Sequence, residues 1–72
     1  MLARSAPQNG DIVVRQEKRE GTLVYVLHTA PGPDQYLLNT REEAVAQALT
    51  FAKSASVRAW FAGGESDAVL LG

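Results

Sequence analysis

The sequence predicts an α+β domain: one sheet of about five strands, antiparallel or mixed, with a single amphipathic helix packed on one face. Three observations predict it. Two β-rich runs, "DIVVRQ" and "TLVYVLHT", are joined by a turn that ends in glycine. The stretch "TREEAVAQALTFAKSA" places apolar residues at helical spacing. Two further short apolar runs, "SVRAWF" and "DAVLL", flank a second glycine turn, "AGGES". With "QYLLN" as a short third strand the order is β-β-β-α-β-β, a sheet-and-helix sandwich.

Taken in order, "MLARSAPQNG" (1–10) has no apolar segment of signal-peptide length and is expected to be a flexible tail, with the domain spanning 11–72. A three-residue loop, Arg19-Glu20-Gly21, is expected between the first two strands, with Gly21 in the left-handed position. That loop sets Lys18 opposite Thr22, Val14 opposite Val26, Ile12 opposite His28 and Arg15 opposite Tyr25. "APGPD" is a turn, its prolines fixing φ and lacking amide donors. Thr40 caps the helix and Glu43 completes a capping box, while Glu42 and Glu43 meet the positive end of the helix dipole. The apolar arc comprises Ala44, Val45, Ala48, Leu49, Phe51, Ala52 and Ala55, mostly small, so the helix axis is expected close above the sheet.

One helix covers one face. Period-two alternation puts Val57, Ala59 and Phe61 toward it, joined by Ile12, Val14, Val24 and Val26. The opposite face then carries Val13, Leu23, Tyr25, Leu27 and Trp60, with Arg15 and Arg58 among them. Such a patch exceeds what a monomer usually leaves wet, and aromatics with arginine are the types enriched at interface centres. These seven residues are the expected interaction surface, for a homodimer or another protein partner; the alternatives are a face covered by the N-terminal tail or a loop, and one left exposed. A domain of 72 residues without cysteine buries only about 60% of its unfolded surface and lacks disulfides, so a partner subunit is the expected source of added stability.

Composition narrows the function. Seven basic and eight acidic side chains nearly cancel, whereas nucleic-acid binders usually show a basic excess. The absence of cysteine removes zinc-finger and thiol chemistry, and one histidine builds no metal site alone. No cofactor is expected, nor a membrane span, and a cytoplasmic location fits the cysteine-free composition. His28 is the sole base near neutrality, with no nucleophile at a known spacing. The "AGGES" loop runs into a strand rather than the helix a phosphate cradle needs. The expectation is a non-enzymatic protein-interaction module. A sheet platform for single-stranded RNA, built from Tyr25, Trp60, Arg15 and Arg58, is the alternative in a different class.

"TREEAVAQALTFAKSASVRAWF" resembles the C-terminal half of small bacterial domains of unknown function that pair strands before a "T-x-x-E-A" helix and follow it with a hairpin. That resemblance implies the same fold and no activity. Thr40, Glu42, Glu43 and Ala44, preceded by the strand Tyr25 to Leu27, also look like the equivalent segment of HicB-like antitoxins. This second resemblance implies an oligomer that binds a small RNase toxin. The chain departs from it in lacking a Pro-Gly-Cys element before the helix.

Overall fold

The computed structural model describes residues 7–63 and 68–71. Strands β1 (Ile12–Arg19), β2 (Thr22–Thr29) and β3 (Asp34–Leu38) precede helix α1 (Arg41–Ala55), and β4 (Ala59–Ala62) and β5 (Val69–Leu70) follow it. They form one five-stranded sheet in the order β3-β2-β1-β4-β5, with β1 and β4 parallel and the other pairs antiparallel. The α+β class and the element order are those the sequence predicts. The glycine turn expected in "AGGES" lies partly outside the described residues.

The first hairpin differs from expectation by one residue. Arg19 faces Thr22 across a two-residue loop, so Val14 opposes Leu27, Arg15 opposes Val26 and Gln16 opposes Tyr25. Glu20 and Gly21 both have positive φ, 50° and 81°, the combination that turns a two-residue hairpin with the strands' own twist. The sequence reading granted the left-handed region to Gly21 alone, and Glu20 occupies it too. Because side chains alternate with period two, this slip turns every β2 residue to the other face. Tyr25 and Leu27 therefore lie under the helix, and Val24 and Val26 on the far face.

The core forms between α1 and Ile12, Val14, Tyr25, Leu27 and Ala59. Helix α1 meets it with Ala44, Ala48 and Ala52, all buried. Leu38, Phe51, Val57, Phe61 and Leu71 close its margins. Phe51 stacks on Tyr36 of β3, with ring centroids 5.4 Å apart, and Arg41 places its guanidinium 4.7 Å from the Phe61 ring centre. Leu49 and Ala55, assigned to the apolar arc by periodicity, are exposed. The buried stripe is confined to Ala44, Ala48 and Ala52, narrower than the arc that periodicity draws. The N-cap is as expected: the Thr40 hydroxyl accepts from the Glu43 amide at 3.1 Å. At the other end Ser56 adopts φ 58°, and its amide reaches the carbonyls of Ala52 and Lys53, a left-handed stop usually taken by glycine.

Gln8 and Gly10, placed by sequence in a flexible tail, are hydrogen-bonded into the fold. The Gly10 amide donates to the Ala30 carbonyl at 2.6 Å, and the Gln8 amide donates to the Asp11 carboxylate at 2.9 Å.

Candidate functional site

The far face of the sheet is the surface the sequence singled out. Four of its residues, Val13, Val24, Val26 and Trp60, are no more than 8% exposed although the helix lies on the other side. For the β1–β3 half the covering is built from charge. Arg15 on β1 and Asp34 on β3 pair at 3.2 Å, and β2 runs between those strands. The Arg15 side chain must therefore cross β2, where its direct neighbour is Val26. Glu17, the neighbour of Val24, receives both Arg15 and Arg19, the latter at 2.8 Å. Arginine stems thus lie over the valines while their heads remain wet. Such pairs contribute little as Coulomb energy, because water screens exposed charges. Their larger effect is to cover the valines. Arg15, followed by Arg19, lowers the Glu17 pKa, and Glu17, followed by Asp34, raises that of Arg15.

On the β4 side the decisive group is Asp11, a residue that sequence reasoning passed over. Its buried carboxylate accepts the Trp60 indole N–H at 2.9 Å, the Gln8 amide at 2.9 Å and the Arg58 amide at 3.3 Å. Its backbone carbonyl accepts from Ala30 at 2.8 Å. One side chain ties the segment before β1, the entry to β4 and the indole together. The Gln8 amide holds the Asp11 carboxyl below its ordinary pKa against the opposing effect of burial, with Trp60 and Arg58 adding to the lowering. A buried tryptophan needs an acceptor for its N–H. That requirement, with an aspartate at the start of a neighbouring strand, is the signal that could have found this contact.

Of the seven expected interaction residues, the structure keeps Val13, Arg15 and Trp60 on the far face, where Val13 pairs with Trp60. Val13 and Trp60 are buried, and Arg15 is engaged by Glu17 and Asp34. Arg58 is exposed in the connection just before β4. Leu23, Tyr25 and Leu27 are on the opposite, helix-bearing face: Leu27 is fully buried, Tyr25 belongs to the core, and Leu23 is exposed near the hairpin end. The one-residue slip in the hairpin is the physical reason. It also separates Tyr25 from Trp60 by the thickness of the sheet, so the aromatics of the RNA-platform reading do not share a face. Stacking on bases needs them exposed side by side.

The exposed apolar residues sit elsewhere. Tyr36 and Leu37 on β3 are 50% and 55% exposed, and β3 is an edge strand. A shallow groove flanks it on each face. Leu38, Glu43, Ala46, Gln47 and Thr50 line one on the helix side, and Arg19, Val26, Asp34, Gln35, Tyr36 and Leu37 line the other. Val69 and Leu70 form a second exposed group on the two-residue strand at the opposite edge. Sequence reasoning missed the β3 edge because strand order does not follow from local pattern.

No family model, curated protein or solved structure matches the chain. Among the described residues no group of His, Asp and Glu side chains could hold a metal ion, and no helix is long and apolar enough to cross a membrane.

Proposed function

We propose that this chain is a non-enzymatic protein-association module, cytoplasmic in setting, that accepts an extended segment of its partner along the β3 edge. The carrying observation is the half-exposed Tyr36 and Leu37 on an edge strand with no lysine and no internal proline. An edge of this kind presents unpaired backbone donors and acceptors, and proteins that leave one open commonly use it. Main-chain pairing would supply affinity and the flanking grooves would select side chains.

The disposition of the polar groups supports association over catalysis. Asp11, Glu17 and Asp34 are each occupied by hydrogen-bond or ion-pair donors. His28 Nδ1 is buried and meets no hydrogen-bond partner among the described residues, whereas a catalytic imidazole is oriented by a second group.

A photo-crosslinking side chain placed at Leu37, compared with one at exposed Lys18, tests the assignment in the producing cell. Protein adducts of defined mass are expected from position 37 and not from position 18. Equal labelling from both, or labelling from 18 alone, would remove β3 as the site.

A further inference from the structure

We infer that the segment received by β3 is the β3 strand of a second copy, paired antiparallel about a two-fold axis at Leu37. This rests on β3 being the association edge. The geometry of the strand selects both the partner and the register.

The N-terminal end of β3 is poorly suited to pairing. His28 faces Asp34 while Leu27 faces Tyr36, so Gln35 is a bulged residue, Asp34 is charged, and Pro33 precedes it. Bulges, charges and prolines are the usual means of blunting an edge. The apolar run Tyr36-Leu37-Leu38 is the part left in regular register with β2. A strand that uses only these residues is short and apolar, and its best complement is an equally short apolar strand.

The run supplies that complement itself. With the axis at Leu37, Leu37 meets its own copy on the far face, and Tyr36 meets Leu38 of the second copy on the helix side. Directly opposed residues in an antiparallel pair share a face, so every contact within the 36–38 run is apolar with apolar, and beyond it Gln35 meets Asn39. Tyr36 of the second copy, stacked on its own Phe51 and half-exposed, would then border the groove beside Leu38, Ala46 and Thr50 with its free side. Moving the axis to Tyr36 would instead set Asp34 against Leu38 and the bulged Gln35 against Leu37. The charge and the bulge thus disfavour that register, and an axis at Leu38 would set Leu37 against Asn39 and Tyr36 against Thr40. An axis perpendicular to the sheet keeps both helices on one side and closes the assembly at two copies, since isologous pairing consumes the edge.

The contact is small. Stable interfaces generally bury at least about 1,200 Å² in total, and three apolar residues on each side fall short of that. The dimer is therefore expected to be weak and concentration-dependent.

Sedimentation velocity from low micromolar to millimolar protein reads this directly. The parent is expected to pass from monomer to dimer and no further. Leu37→Lys, at a position exposed enough to tolerate it, should weaken dimerisation by about tenfold or more with an unchanged thermal midpoint. Leu70→Lys on the opposite edge should leave dimerisation intact. Dimerisation lost in Leu70→Lys but kept in Leu37→Lys would overturn the proposal, as would assembly beyond two copies. A parent that stays monomeric throughout also overturns it, and a synthetic QYLLN peptide then separates the two readings. Shifts of the 36–38 amide resonances on adding the peptide would leave β3 as a strand-accepting edge for another protein. No shifts would remove that reading as well.

Discussion

Replacing Asp11 by alanine should cost this small fold a large share of its stability. The carboxylate accepts the Trp60 indole at 2.9 Å inside the structure, where Trp60 is 2% exposed. A hydrogen bond to a charged group contributes about 1.5–3 kcal/mol, and an ordinary one about 0.5–1.5 kcal/mol. With Gln8 and Arg58 also donating, and some relief from no longer burying a charge, the expected loss is about 3 kcal/mol. A chain of 72 residues holds roughly 4–11 kcal/mol in total. Urea denaturation followed by far-ultraviolet circular dichroism measures the loss without depending on the tryptophan. A double-mutant cycle with Trp60→Phe, which removes the indole N–H but keeps an aromatic ring, should show a coupling of about 1.5 kcal/mol. A loss in Asp11→Ala below about 0.5 kcal/mol, or additivity of the two changes within about 0.3 kcal/mol, would refute the reasoning. The pH dependence has a definite sign. Because the folded pKa of Asp11 is below its ordinary 3.8, the unfolded chain binds the proton more tightly. Its contribution is complete above the unfolded pKa and is lost as pH falls through the folded one. Asp11→Asn should therefore flatten the acid limb of the stability profile.

Two further substitutions test the backbone and the helix contact. Ser56→Gly should raise stability by about 1 kcal/mol, because φ 58° at the helix stop costs an L-residue what it does not cost glycine, and a thermal midpoint several degrees higher would register it. Ala48→Leu should lower stability by about 1–3 kcal/mol, since Ala48 is fully buried between helix and sheet; a neutral result in urea would mean that the helix is free to lift.

What could be read from the sequence was what is decided locally. The α1 boundaries follow from a 3.6-residue pattern and the Thr40 cap, and β2 occupies the span its β-branched run predicts, Thr22–Thr29. The hairpin register turned on one backbone angle, at Glu20. A glutamate gives no sign of a left-handed conformation, so the two-residue turn was not visible and three of the seven candidate residues moved across the sheet with β2. The parallel pairing of β1 with β4 was equally hidden. It depends on the path of the chain over the helix, and on a carboxylate whose donors come from two separate segments, Gln8 before β1 and Arg58 with Trp60 at β4. Val13, Arg15 and Trp60 were placed on the correct face because the alternation within β1 and β4 needed no knowledge of the turn.

The central β1–β4 ladder also has a meaning in time. Its partners, from Ile12 with Ala59 to Arg15 with Ala62, are the most widely separated strand pairs among the described residues, whereas β1–β2 and β2–β3 join near neighbours. Pairings that must close a long loop form late. The hairpin and third strand can assemble first, with α1 settling on them and β4, together with its edge partner β5, arriving last beside Asp11. Contacts made after the rate-limiting step govern how fast a protein opens rather than how fast it closes. Trp60 and its aspartate would therefore act as a latch: loosening them shortens the life of the folded molecule while its speed of folding is nearly preserved.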